Sequence, residues 1–128
     1  MKYKTHSKLN PFRPQGPKIQ YAVPVNPGKM ALKDFATQIA QRSSLTRGDV
    51  ESVLINFLEE MPTFLRLGMS IQLGDLGTMR LTLSSRGVAE GEAFTSSHIR
   101  GVRVVFTPGV ALKSSLRHIP FEEEKAEN

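Results

Sequence analysis

Residues 46–67, TRGDVESVLINFLEEMPTFLRL, followed by residues 68–79, GMSIQLGDLGTM, decide the fold. In the first stretch Val50, Val53, Leu54, Phe57, Leu58, Met61, Phe64 and Leu65 recur at i, i+3, i+4, i+7 spacing, the pattern of an amphipathic helix. At about 100° per residue these side chains spread over roughly 140° of the helix surface, and Ile55 widens the stripe to about 200°. A helix laid against one neighbour needs only about 100°. The stripe therefore asks for a second covering surface, and a chain of 128 residues points to another copy of itself as the source.

The ends of this helix are marked. Thr46 with Asp49 fits a Ser/Thr-x-x-Asp/Glu capping box, worth about 1 kcal/mol, and Leu45 can staple onto Val50. Gly68 suits the left-handed position just past the helix. Pro62 removes the bond to the Leu58 carbonyl, a cost of about 3 kcal/mol if uncompensated. The stripe continues in phase through Phe64 and Leu65, so Pro62 reads as a kink and not an end.

Beyond Gly68 the period changes to two. Met69, Ile71 and Leu73 alternate with Ser70 and Gln72, and residues 76–83, LGTMRLTL, alternate again, with Gly74-Asp75 as the bend between two strands. Residues 84–97 lose periodicity, and residues 99–106, IRGVRVVF, return as a strand. Thr107-Pro-Gly109 leads into a short helix over 110–118 with Ala111, Leu112 and Leu116 on one side. Upstream, Leu32, Phe35, Ala36, Ile39 and Ala40 predict a helix over 30–42, joined by Ser43–Thr46 to the long one. Residues 1–29 hold five of the eight prolines. They read either as two edge strands, 3–9 and 18–25, flanking a Pro-rich connection, or as a basic arm that orders on binding. The division expected is thus 1–29, a basic Pro-rich extension; 30–118, the main domain; and 119–128, an acidic tail.

Charge follows the same division. The net charge is +5, but residues 1–29 alone carry +6, residues 30–79 carry −2, residues 80–119 carry +4 and residues 120–128 carry −3. Such segregation suits a surface that faces a polyanion; a solubilising basic tail is the plainer alternative. There is no cysteine, hence no disulfide, thiol nucleophile or thiolate metal site. No apolar run approaches the roughly 18 residues of a membrane span. Residues 1–5 lack the apolar block of a signal peptide. The expected setting is cytoplasmic, without a membrane partner.

Catalytic motifs are missing. His6, His98 and His118 are scattered, with no metal-ligand spacing. No nucleophile elbow, phosphate loop or dinucleotide fingerprint is present. Glu59 and Glu60 are helix neighbours that diverge, so they make no acid/base pair. The chain reads as a non-enzyme with no cofactor, metal or small-molecule substrate.

The order of parts is more specific than any one of them. A helix pair leads into Leu76-Gly-Thr-Met79; after an excursion the chain returns through Phe106-Thr-Pro-Gly109 and Ala111-Leu-Lys113. Over residues 30–118 this resembles the bacterial HU and integration host factor family of histone-like DNA-binding proteins, and the N-terminal extension is similar to that of an extended HU-related subgroup. The resemblance implies an α+β fold: an intertwined dimer in which a helix pair is followed by a three-stranded β-saddle with an arm and a short C-terminal helix. It implies a homodimer bound to double-stranded DNA in the nucleoid. By position it implies Arg80, Arg86, Arg100 and Arg103 on saddle and arm, and Gly77 and Thr78 at the saddle edge. It puts Gly109 and Lys113 at the start of the last helix, where backbone N–H groups can receive phosphate, and Lys29 and Lys33 beside the first helix. For each of these the alternative is a solvated charge.

The chain also departs from that family. Its excursion, RGVAEGEAF over 86–94, has no proline to wedge between base steps, and it carries Glu90 and Glu92. Val88 or Phe94 could serve as a wedge, Phe94 being read rather as core. Asp75 stands where the family has glycine. Two functions follow. One is architectural, largely sequence-nonspecific DNA binding with little sharp kinking; the alternative is a protein-interaction or structural module that kept the fold and lost strong DNA binding.

Overall fold

The computed structural model describes residues 1–125. In chain order the elements are strands β1 (Lys2–Lys8) and β2 (Ile19–Pro24), helices α1 (Leu32–Gln41) and α2 (Arg47–Leu65), strand β3 (Ile71–Gln72), a 3-10 turn (Gly74–Leu76) and strand β4 (Gly77–Ser85). A second 3-10 turn (Ser96–His98), strand β5 (Ile99–Pro108), helix α3 (Val110–Ser115) and strand β6 (Glu122–Glu123) complete it. They form two compact units, one from residues 1–31 with the C-terminal segment from 118, the other from residues 32–117.

In the larger unit α1 packs on α2. Thr46 caps α2 as its sequence requires: the Asp49 amide donates to the Thr46 hydroxyl oxygen at 3.2 Å, and the Thr46 amide donates to the Asp49 carboxylate at 3.3 Å. The helix continues through Pro62, and the Arg66 amide reaches the Pro62 carbonyl at 2.9 Å. Gly68 then turns the chain at φ +81°, with its amide on the Leu65 carbonyl and that of Met69 on Phe64. This pair of bonds is the Schellman arrangement, and it aims the chain into the sheet.

The sheet has the order β3-β4-β5 and is antiparallel throughout. Alternation sorts its side chains. Ile71, Met79, Leu81, Leu83, Val102, Val104 and Phe106 share one face; Gln72, Thr78, Arg80, Thr82, Arg103, Val105 and Thr107 share the other, which is polar except for Val105. The last helix is shorter than its sequence pattern: the helix stops at Ser115 and His118 takes φ +60°. The Leu116 and Arg117 amides bond three residues back, to Lys113 and Ser114, so the last turn tightens where the helix ends.

The smaller unit takes the strand alternative for residues 1–29. β1 and β2 pair from Tyr3 opposite Pro24 to Lys8 opposite Ile19. β2 lies at the edge of the order β2-β1-β6, where Pro24 costs no ladder bond. Asn10 starts the connecting turn by accepting the Phe12 amide at 3.0 Å on its side chain. On the other side β6 runs parallel to β1, Glu122 opposite Lys2 and Glu123 opposite Tyr3.

What the chain leaves uncovered is the main finding. Among the described residues only Ala36, Val50, Met61 and Leu65 form a buried apolar core. Along α2, Val53 is 60% and Leu58 51% exposed, and on the sheet Leu83 is 67% and Val104 62% exposed. An apolar groove of about 600 Å³ lies between α2 and β3, lined by Val53, Phe57, Met61, Phe64, Met69 and Ile71 among others. Thr46→Ala should lower stability by about 1 kcal/mol, read as a shifted midpoint in denaturant unfolding at fixed protein concentration; no shift would mean that the cap contributes nothing.

Candidate functional site

The residues singled out from the sequence divide by position. Arg80 lies on β4 opposite Val105, and Arg103 lies on β5 opposite Thr82. Both are on the polar face and both are exposed. Arg80 neighbours Thr82 along its strand, so the two guanidinium groups are diagonal neighbours within reach of one ligand. Thr78 sits two residues before Arg80 on the same face, opposite Thr107. The sheet thus presents two arginines framed by hydroxyls, each arginine able to fork two N–H donors onto an oxyanion. Thr82, Thr107 and Gln72 lie on the same face, with Val105 between Arg103 and Thr107; counting by twos from Arg80 would have found Thr82, but the cross-strand register that brings in Thr107 and Gln72 is not written in either strand alone.

Arg86 and Arg100 stand apart from that pair. The ladder shifts between Ser84 and Ser85: Gly101 opposes Ser84 while Ile99 opposes Ser85. Arg100 is the extra residue of this bulge, so alternation counted from Arg103 does not extend to it. Arg86 lies just past β4, its amide held by the His98 carbonyl at 2.8 Å, at the root of the excursion.

Gly77 opens β4 at the edge of the sheet, and both it and Gly109 sit where backbone approaches backbone. Gly77 has φ +143°, and a Cβ there would collide with the Thr107 carbonyl oxygen. A Cβ on Gly109 would collide with the backbone carbonyl of Asp75. The Gly109 amide is already donated to the Leu76 carbonyl at 2.9 Å, so it is not the free N–H that the start of a helix would offer a phosphate. Both glycines let the 3-10 turn, β4 and the entry to α3 meet backbone to backbone. Lys113 is in the last turn of the six-residue α3. Lys33 falls in the first turn of α1, and Lys29 lies in the smaller unit, before that helix.

The excursion folds back through two local turns. The Glu92 amide donates to the Ala89 carbonyl at 3.0 Å, with Gly91 at φ +91° in the position that requires it, and Glu90 and Glu92 flank the bend exposed. Thr95 and His98 cap the following 3-10 turn reciprocally. Phe94 is not core: it is half exposed, and its ring lies 5.2 Å from that of His98. The short turn therefore fixes Phe94 by stacking it on its own neighbour. Asp75 is exposed at the 3-10 turn, leaving a carboxylate at the edge of the sheet.

No group of three or more His, Cys, Asp or Glu among the described residues could hold a metal ion, and no helix there is long and apolar enough to cross a membrane. Gly77→Ala and Gly109→Ala should each cost at least about 2 kcal/mol, since backbone must move to admit the methyl group. Gly87→Ala, where nothing lies within 4 Å of the added atom, is the control and should unfold like the parent in denaturant titration; equal behaviour of all three would remove the close-approach account.

Comparison with known proteins places this geometry. A family model described as an HU domain fused to wHTH, Ig or glycine-rich motif (HU-HIG) matches residues 1–123. Among solved structures, a crystal structure of a "putative bacterial DNA binding protein" from Bacteroides vulgatus ATCC 8482 is similar, with a TM-score of 0.60 and 16% identity. The match covers 95% of this chain and 47% of that one, so the chain spans about half the length of that relative. No curated protein matches the sequence significantly.

Proposed function

The chain belongs to the HU-HIG family, and on that premise we propose that it is an architectural protein that binds double-stranded DNA as a homodimer, largely without regard to sequence, at the nucleoid. The observation that carries this reading is the two-faced sheet: arginines and hydroxyls on one side, an uncovered row of Leu83, Val102 and Val104 on the other. The apolar row and the exposed stripe of α2 are surfaces of the same kind. Two copies can cover them mutually, each buried side chain contributing on the order of 1 kcal/mol. Burial of that side leaves Arg80 and Arg103 of both copies facing solvent, and a symmetric pair of such faces makes a cradle for a polyanion.

Arg80 and Arg103 carry the phosphate contacts, with Thr78, Thr82 and Thr107 as neutral donors. Gly77 and Gly109 shape the junction that holds β4 and β5 at the correct angle to α3. Arg86 and Arg100 extend the basic track toward the excursion, Lys33 and Lys113 add charge to the same unit, and Lys29 adds charge to the smaller one. Contacts of this type position a duplex without reading bases. Glu90 and Glu92 at the bend of the excursion disfavour deep entry into a groove, so the duplex is held and not sharply kinked. These acids and Asp75 are also what favours the second reading, an interaction module with a protein partner. No step of either reading is enzymatic.

Sedimentation should give twice the 14.2 kDa mass of one chain, and a folded monomer at dilute concentration would remove the cradle. In a polarisation titration on random duplex, log K should fall linearly with log salt. Arg80→Ala with Arg103→Ala should weaken binding to all sequences alike and reduce the slope by about 1.8 per protomer, at about 0.9 per phosphate contact. Absence of binding by the parent at low salt would favour the interaction module.

A further inference from the structure

Strand β1 reads Lys2-Tyr-Lys-Thr-His-Ser-Lys8. Alternation sets Lys2, Lys4, His6 and Lys8 on one face and Tyr3, Thr5 and Ser7 on the other. The hairpin register agrees: Lys4 opposes Val23, His6 opposes Tyr21 and Lys8 opposes Ile19, and directly opposed residues share a face. An independent contact confirms it, since the Lys8 ammonium lies 6.0 Å from the centroid of the Tyr21 ring, its diagonal neighbour. The opposite face of the hairpin, Tyr3, Thr5 and Ser7 with Gln20, Ala22 and Pro24, carries no charge. Solubility needs net charge and is indifferent to the face that bears it. Here every Lys and His of the hairpin strands is on one side.

The row is also open at one end only. β6 places Glu122 opposite Lys2, and the Glu124 amide bonds the Tyr3 carbonyl at 2.8 Å. Glu124 follows at the level of Lys4, and Lys2 and Lys4 line one open concavity with Glu122, Glu123 and Glu124. Lys4 thus keeps one flank beside the glutamates, while His6 and Lys8, which with Lys4 make up the free length of the row, run on past them. All three are exposed. Successive members of the row are two residues apart, about 6.6 Å in a strand.

We propose that this face of the hairpin, with Lys4 and Lys8 as its cations and His6 and the Tyr21 hydroxyl as further donors, is a second contact with the DNA phosphate backbone, separate from the arginine sheet. It rests on the DNA-binding reading above. The ammonium groups are point charges on flexible stems, and the face carries no Arg, Asn or Gln to read a base edge in bidentate fashion. The contact is therefore blind to sequence and adds affinity and salt dependence only. Glu122 and Glu124, beside Lys2 and Lys4, lower the positive potential at that end, so Lys8 and His6 are the least screened donors of the row.

The test uses the full chain and random duplex. Lys4→Ala with Lys8→Ala should reduce the slope of log K against log salt by about 1.8 per protomer. A transposed variant, Lys4→Ala, Thr5→Lys, Ser7→Lys and Lys8→Ala, keeps the net charge but moves the row to the other face. It should bind like the alanine pair; binding like the parent would show that only net charge matters and overturn the assignment. Independently of any variant, duplex should slow acylation of Lys4 and Lys8 in the unmodified protein, and equal labelling with and without duplex would also overturn it. If the arginine pair lowers binding while the lysine pair does not, this inference fails alone; if the parent does not bind duplex, both readings fall together.

Discussion

The constraint on which the larger unit depends is that neither of its apolar surfaces is covered within one chain. A helix with a stripe of about 200° has more apolar surface than one neighbour can cover; α1 is the main neighbour of α2, and the short β3 adds little. The sheet repeats the problem, since Val102, Val104 and Leu83 remain exposed on its apolar side. Conformational entropy must be offset by burial, and four buried apolar residues are few for a unit of this length. Association of two copies resolves both deficits at once, which is why the proposed homodimer and the proposed cradle are one argument and not two.

Much of the fold was legible because its signals are local. A capping box spans four residues, a Schellman turn six, and the change from a period of 3.6 to a period of two at Gly68 is visible on its face. The cap, the left-handed Gly68 and the alternation of β4 and β5 all take the form their residues predict. What could not be read is what depends on distant backbone. The pairing of Glu122 with Lys2 joins opposite ends of the chain. The bulge that separates Arg100 from Arg103 is a property of two strands together. Gly77 and Gly109 resemble site residues in sequence, but their role comes from carbonyls of Thr107 and Asp75 that only the folded chain brings near.

The candidate site was legible in kind more than in detail. Four arginines could be named from charge and position, but a list of basic residues does not say which share a face. The register sets Arg80 and Arg103 on one face as diagonal neighbours and leaves Arg86 and Arg100 at the root of the excursion. Phe94 shows the opposite error. An aromatic residue before a turn is reasonably expected to be buried, yet in a segment with no second layer beneath it the ring settles on His98 instead.

These details bear on how the duplex would be held. A wedge that kinks DNA must be apolar, rigid and placed at the tip of an arm, and opening a base step costs a few kcal/mol. Here the bend at Gly91 is flanked by two exposed carboxylates, and Phe94 is tied to a turn several residues back from it. A carboxylate brought toward a groove meets like charge on both walls, so the tip is repelled where a proline would be driven in. The cations lie instead on broad strand faces, Arg80 and Arg103 on one sheet and Lys4 and Lys8 on the other. In the proposed complex, charge on strand faces and acid at the tip would favour contact along the backbone over penetration between bases, leaving base stacking intact.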